Sequence, residues 1–367
     1  MLRTASLLDL MEQGWAVRQA LHPGREVTFV IDTNPNYTNV CVTRCAFCSF
    51  YRAPGHPEAY TLSPAEVAGK VARAGREGAT TVLLQGGHHP GLSLSYYQEM
   101  IDAIRAAAPE MHLHLFSPSE IGHIARNSGT DPETVLRIFY DMGLRTMPGG
   151  GAEILVDAVR RHVSPGKISA GEWLDIMRTA HRVGFKTTAT MTYGHCERDE
   201  DIIEHLFRLR ELQDETGGFY AFIPWSFKPG ISRLGETVSG PELPSFYVRV
   251  IAVARIVLDN FPHIQASWFS EGWRAGQLAL HGGADDFGGL LLEENVLFQA
   301  RHAYATTLDA LLETIRGAGF LPVQRDSLYN PLSVYDAAEG SASPVQTERQ
   351  PGSGAHIGTK MERHLEP

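Results

Sequence analysis

The segment Asn39-Val-Cys41-Val-Thr-Arg-Cys45-Ala-Phe47-Cys48-Ser-Phe-Tyr-Arg52 sets three cysteines on one short loop, three and then two residues apart. The loop follows an apolar run, Tyr37–Val42, that reads as a strand. Three thiolates so spaced can bind three irons of a cubane cluster and leave the fourth iron open to chelate a small molecule. Two plainer readings stand beside this one. Structural zinc normally takes four protein ligands, and the only other cysteine, Cys196, is far along the chain. Cysteines that merely pack have no reason to fall three to a loop.

Outward from this loop, short β-branched or apolar runs alternate with helical patterns, the mark of repeated βα units around a parallel sheet. Tyr37–Val42, Thr81–Gln85, His112–Phe116, Leu144–Met147, Lys186–Thr192, Phe219–Ile223, Ile264–Trp268 and Ala284–Phe287 read as strands. Eight such strands predict a closed (βα)8 barrel of the TIM type. Between them Val67, Val71 and Ala74, then Trp173, Met177 and Ala180, then Ile202, Leu206 and Leu209 recur at helical spacing and are assigned to the core. Residues 1–35 read as an amino-terminal extension, an amphipathic helix followed by a strand or hairpin at Val27–Asp32 laid against the barrel. The barrel is expected over 36–329. Residues 330–367, rich in Pro, Gly, Ser and charge, read as a disordered tail.

The 367 residues carry a formal charge of −10, from 42 acidic against 32 basic side chains. That balance speaks against nucleic acid as a partner and for a small-molecule substrate. No apolar run is long enough to span a membrane. Few cysteines, three of them clustered, suit a metal site in a reducing, cytoplasmic compartment better than a disulfide scaffold.

In a βα barrel the chemistry gathers at the carboxyl ends of the strands. Leu84-Gln85-Gly86-Gly87-His-His-Pro90 follows the second strand, and its paired glycines either admit a ligand to the backbone or form a helix-entry turn. His88 and His89 read as exposed loop residues. His114-Leu-Phe-Ser117-Pro-Ser-Glu120 closes the third; Ser117 and Glu120 fit a helix cap or a cofactor contact. Pro148-Gly-Gly-Gly-Ala-Glu153 closes the fourth and offers one carboxylate, a candidate base or merely a first-turn acid. The fifth carries Thr190, Tyr193, His195 and Glu197. The sixth ends in Phe-Tyr-Ala-Phe-Ile-Pro-Trp225-Ser-Phe227-Lys, an aromatic wall able to flank a flat substrate and exclude water. Asp285 and Asp286 stand at the eighth.

The cysteine spacing resembles that of the radical S-adenosylmethionine enzymes. Together with NYTNVCVTRCAFCSFYR, LLQGGHHP, HLFSPSEI, PGGGAEILVD, TGGFYAFIPWSFKPG and GADDFGGLLLEENV, it makes the chain similar to the menaquinone-pathway cyclic dehypoxanthinyl futalosine synthases. That group also includes aminofutalosine synthases and deazaflavin-forming synthases. FSPSEI and the Ile-Pro-Trp225-Ser-Phe-Lys stretch favour the cyclase. The resemblance implies that Cys41, Cys45 and Cys48 hold a [4Fe-4S] cluster whose open iron chelates S-adenosylmethionine, and that an electron then splits the cofactor to a 5′-deoxyadenosyl radical. It implies cofactor contacts from Phe47, Gln85, Gly86, Gly87, Ser117, Glu120 and Thr190, and a reducing partner such as flavodoxin or ferredoxin. The expected reaction takes hydrogen from the ribose 4′ carbon of a nucleoside, closes a ring onto its benzoate, and releases one electron and one proton. Glu153, His195 and Tyr193 stand as candidates for the proton. Arg52, Trp225, Phe227 and Asp285 stand as candidates for substrate binding.

Ser270–Arg274 and Phe298–Ala303 depart from the family's wording, which keeps a paralogue on a related nucleoside in view. Aminofutalosine synthase is the rival enzyme, and an iron-sulfur electron carrier or zinc-binding module the rival of another class.

Overall fold

The structure, a computed structural model, describes residues 2–238, 242–300, 306–336 and 343–344. Helix Leu7–Leu21 opens the chain, as its amphipathic pattern predicts. The next element, β1 (Glu26–Asn34), is the first strand of the barrel itself. It pairs in parallel with β2 (Thr81–Leu84) through Asp32 and Thr33, and with β8 (Asp286–Glu294) from Thr28 to Asn34. This corrects the expected first strand. Val27–Asp32 lies inside the ring, whereas Tyr37–Val42 makes only single bridges, Thr38 to Thr61 and Val40 to Arg52. Pro35 and a left-handed Asn36, φ +44°, end β1 before that run. The apolar run is instead the base of the cysteine loop.

From β2 the ring continues through β3 (His112–Leu115), β4 (Thr146–Met147), β5 (Lys186–Tyr193), β6 (Phe219–Ser226) and β7 (His263–Ile264), each parallel to the last. A bridge from Gln265 to Asp286 joins β7 to β8, and β8 returns to β1, so the eight strands close. The (βα)8 expectation holds. Trp268, expected in the seventh strand, begins a short helix. β9 (Leu321–Arg325) lies parallel to the amino-terminal half of β1, and β10 (Pro331–Val334) turns back antiparallel against β9. Regular structure therefore continues past Tyr329, where composition places the tail; residues 337–342 and 345–367 of that tail lie outside the described residues.

Local signals fix the helices. Ser63 with Glu66, Ser117 with Glu120 and Ser169 with Glu172 form reciprocal capping boxes at three of their starts. The faces carrying Val67 and Val71, Trp173 and Met177, and Leu206 and Leu209 are fully buried against the sheet. Each such side chain contributes roughly 1.5–3 kcal/mol by leaving water. Among the described residues no helix is long and apolar enough to cross a membrane.

Candidate active site

The cysteine loop leaves the carboxyl end of β1 and is pinned from several sides. Cys41 N–H donates to the Arg52 carbonyl at 3.0 Å, Ala46 N–H to Val163 at 2.7 Å, and Leu234 N–H to Ala46 at 2.8 Å. Arg52 gathers the loop's carbonyls: its Nη1 donates to Ser49, Tyr51 and Phe50 at 3.0, 3.1 and 3.3 Å, and its Nε pairs with Glu58 at 2.7 Å. Arg52 does not line the cavities, so its expected substrate contact gives way to a role in holding the loop.

All three cysteines are free and open onto one cavity of about 270 Å³. Exposed Cys196 is not among its walls. Among the described residues, the one trio of His, Cys, Asp or Glu donor atoms within 4.8 Å of one another lies elsewhere, so the three sulfurs are not gathered around a single ion. Tetrahedral zinc would draw them to ~3.8 Å, given its ~2.3 Å bonds to sulfur. The donor set fits a wider, polynuclear cluster. Burial pushes the Cys45 thiol up to about 12, with Lys167 opposing; thiolates in this wall need positive charge beside them.

The paired glycines serve this loop directly. A side chain on Gly87 would place its Cβ 2.2 Å from the Val40 carbonyl oxygen and 3.0 Å from Cys41 Cβ. One on Gly86 would strike the Tyr37 ring at 2.5 Å. Glu120 completes the arrangement: one oxygen accepts from Tyr37 Oη and Gly86 N, each at 2.9 Å, and the other from Ser117 N and Oγ at 2.8 and 2.7 Å. Ser117 and Glu120 thus line the cavity while their side chains are engaged in capping the helix Pro118–Asn127 and fixing the glycine turn. His88, expected at the surface, is buried in the same wall, stacked on His123 with ring centroids 4.8 Å apart.

Glu153 also reaches this cavity, held in a left-handed conformation at φ +43°. Lys167 Nζ lies 2.7 Å from one of its oxygens and Arg160 3.3 Å from the other. Burial alone would raise the carboxyl; Lys167 and Arg160 overcome it and hold the group below its ordinary value. Lys167 escaped the sequence reading. Its signal was the turn Ser164-Pro-Gly-Lys167, in which Gly166 packs so closely that a Cβ would sit 2.7 Å from the Thr43 carbonyl oxygen of the cysteine loop.

A second cavity of about 240 Å³ fills the barrel interior and shares Gln85, Gly150, Thr190, Trp225, Val296 and Leu297 with the first. Strand alternation decides which side chains enter them. Thr188, Thr190 and Thr192 of β5 face inward, so Ala189, Met191 and Tyr193 face the helices. Tyr193 is fully buried, its hydroxyl has no hydrogen-bond partner, and its ring lies 5.7 Å from that of Phe246. It is removed from the site. On β6 a register shift opposite Thr187 and Thr188 brings Tyr220 inward beside Ile223 and Trp225, leaving Phe219 and Phe222 in the outer core. Phe227, with Phe47 and Lys228, lines the cysteine cavity. Lys228 donates to Ser226 Oγ at 2.7 Å and to Glu271 at 3.1 Å. Glu271 thus gives the divergent Ser270–Arg274 stretch a place against the aromatic wall; Ala300 lines the mouth, and residues 301–303 lie outside the described residues.

Two further candidates stand away from the cavities. His195 Nδ1 lies 2.8 Å from Glu197 and its Nε2 3.0 Å from the Thr192 carbonyl, with no face on either cavity. Asp285, expected within the eighth strand, lies one residue before β8, at the opposite end of the barrel from the cysteines, where Arg255 and His263 each approach within 2.5 Å. The eighth strand begins later and runs longer than its apolar pattern suggests, which leaves Asp285 outside it.

Sequence and structure comparisons agree with this geometry. The Radical SAM superfamily model matches residues 35–209, and the CofH/MqnC C-terminal region matches 216–338. The chain is 44% identical over 328 residues to the 5-amino-6-(D-ribitylamino)uracil–L-tyrosine 4-hydroxyphenyl transferase of Methanopyrus kandleri, covering 85% of this chain and 86% of that one. It is 39% identical over 336 residues to the cyclic dehypoxanthine futalosine synthase of Halalkalibacterium halodurans, covering 91% and 90%. Among solved structures, methylornithine synthase superposes with a TM-score of 0.66 at 18% identity over 86% of this chain and 89% of its own, a likeness of fold. The enzymes of this superfamily use a [4Fe-4S] cluster and S-adenosylmethionine, and Cys41, Cys45 and Cys48 are the residues that would hold the cluster here. With its cysteine loop at the mouth of a closed barrel and relatives matching nearly its whole length, the chain belongs to the radical S-adenosylmethionine superfamily, among the enzymes of the CofH/MqnC family.

Proposed function

We propose that this enzyme is a cyclic dehypoxanthine futalosine synthase, closing a ring within one nucleoside substrate. The observation that carries the reading is the wall at Trp225, shared by the cysteine cavity and the barrel interior. A cyclisation takes one substrate bearing both ribose and aryl ring, and an interior cavity that shares walls with the cluster side suits it. The cofactor pair supplies the chemistry of one-electron cleavage and hydrogen abstraction. The chain's residues position and shield: Phe47, Gln85 and Thr190 on the cofactor side, Trp225 and Phe227 against the aryl ring. Glu153, paired twice, acts as a fixed anion, not as the proton acceptor. A one-electron donor such as flavodoxin or ferredoxin reduces the cluster, and the free cysteines suit a reducing cytoplasm.

The 44% identity to the Methanopyrus transferase supports a second reading, transfer of a 4-hydroxyphenyl group from tyrosine to a ribitylaminouracil. Anaerobic, cluster-reconstituted enzyme incubated with reductant, S-adenosylmethionine and each substrate set separates the two. The cyclase reading expects 5′-deoxyadenosine and a cyclised product from dehypoxanthine futalosine alone. Turnover only with tyrosine and the ribitylaminouracil would replace it with the transferase.

A further inference from the structure

Glu153, Tyr193 and His195 give the interior cavity no free base, yet the cyclisation must release a proton there. β3 supplies one. His114 is 7% exposed and lines the interior cavity with Tyr220, Trp225 and Gln265. Its Nδ1 lies 2.9 Å from Thr146 Oγ1, with Tyr220 Oη farther off at 3.5 Å, and its Nε2 has no hydrogen-bond partner among the described residues. The same Thr146 hydroxyl is met by His112 Nε2 at 2.8 Å. Resting on the cyclase reading, we propose that His114 is the base that takes the proton lost from the substrate's ring, and that Thr146 and His112 relay it toward the far end of the barrel.

The three groups form a directed wire. His112 and His114 are two residues apart on β3 and so share a face, with His112 nearer the amino end, away from the cysteines. Thr146 opens β4 directly opposite His114. Burial, with His112 and Arg325 nearby, keeps His114 neutral, its value held well below that of an ordinary imidazole. With its one proton on Nδ1 and donated to Thr146 Oγ1, Nε2 is left to the cavity as an acceptor. The Thr146 hydroxyl then donates to His112 Nε2, closer than the Leu113 carbonyl at 3.3 Å. A proton arriving at His114 Nε2 therefore releases one from Nδ1 to the hydroxyl, and the hydroxyl releases its own to His112. His112 is part-exposed, and Asp326 favours positive charge on it. In the step assigned, the C–H bond at the ring carbon joined to the ribose breaks. Its proton goes to His114 Nε2, and the one surplus electron goes to a one-electron oxidant, the oxidised iron-sulfur cluster. Restoring the aromatic ring makes that proton strongly acidic, so a weak neutral base suffices.

The test gives cluster-reconstituted enzyme reductant, S-adenosylmethionine and dehypoxanthine futalosine, and follows deoxyadenosine, cyclised product and the electron paramagnetic resonance spectrum. Hydrogen abstraction precedes proton loss, so His114→Gln is expected to form deoxyadenosine while cyclised product per deoxyadenosine falls about tenfold or more. A ring-centred radical should accumulate, its hyperfine splitting narrowed by ring deuteration. Thr146→Val cuts the relay outside the cavity and should complete one turnover per chain before slowing; Thr146→Ser, which keeps the hydroxyl, should restore the later turnovers. A merely structural Thr146 would slow first and later turnovers alike, so this variant decides the matter if His114→Gln fails to fold. A wild-type product ratio in His114→Gln, or first and later turnovers equal in Thr146→Val, would overturn the assignment and leave the cyclase standing. No cyclised product from wild type would overturn the cyclase reading, and the assignment with it.

Discussion

Lys167 Nζ stands 2.7 Å from Glu153 Oε1 inside the wall that also carries the three cysteines. The carboxylate that sequence offers as a base is therefore half of an ion pair, with Arg160 on its other oxygen. Lys167→Met would leave Glu153 buried with one cation, a loss of about 3 kcal/mol on the scale of broken buried pairs. Adding Glu153→Gln should restore much of it, because the unpaired charge is gone. Urea unfolding of the two variants and wild type measures this; a double variant no more stable than Lys167→Met would refute the pairing. The effect has a pH sign. Glu153 titrates below its ordinary value of 4.5, so its contribution is present above that value and lost as pH falls through the depressed one.

Gly87→Ala is expected to yield folded protein poor in iron. The added Cβ meets Val40 O at 2.2 Å and Cys41 Cβ at 3.0 Å, so the cysteine loop itself must move. Gly69→Ala, in a helix with nothing within 4 Å of the new Cβ, is the control and should gain about 0.5–1 kcal/mol at full iron content. Iron per chain and the visible absorption of the reconstituted cluster are the readouts.

Much of this was legible in the chain. The cysteine spacing, the capping signatures such as Ser117 with Glu120, and the helical stripes at Val67 or Trp173 are local, and the structure keeps them. What escaped depends on register and on distant partners. Asp285 fell outside the strand because β8 starts one residue after it, and Val27–Asp32 joined the ring because its pairing partners lie in β2 and β8. Lys167 and Arg52 reveal their tasks only when the loops around them are folded, since neither contact follows a periodic pattern.

Tyr193→Phe should leave turnover intact and raise stability. The hydroxyl is buried without a partner, a state that costs about 1–3 kcal/mol. Removing one oxygen leaves the contact with Phe246 in place. A gain approaching 1 kcal/mol in chemical denaturation is the expected outcome. A large fall in kcat with wild-type cluster content would return Tyr193 to the list of proton acceptors.

The His195–Glu197 pair predicts loss of stability on the alkaline side. Burial alone would lower the His195 value, but contacts with Cys196 and Glu197 raise it to about 9, while Glu197 falls to about 2. Because the folded value of His195 exceeds its ordinary 6.5, the stabilisation is complete below that pH and disappears as pH rises through about 9. Glu197 acts in the opposite sense, its share being lost only as pH falls toward about 2. Cys196→Ser removes one of the two contacts and isolates the Glu197 pair, so it is the proper background. In that background, raising the pH from neutrality to beyond the His195 transition should cost on the order of 2 kcal/mol. His195→Gln on the same background should start less stable and lose less, because an uncharged amide has no proton to release. Parallel losses in both proteins would mean that the pair is not ionised at neutral pH, and would restore a neutral, proton-accepting His195.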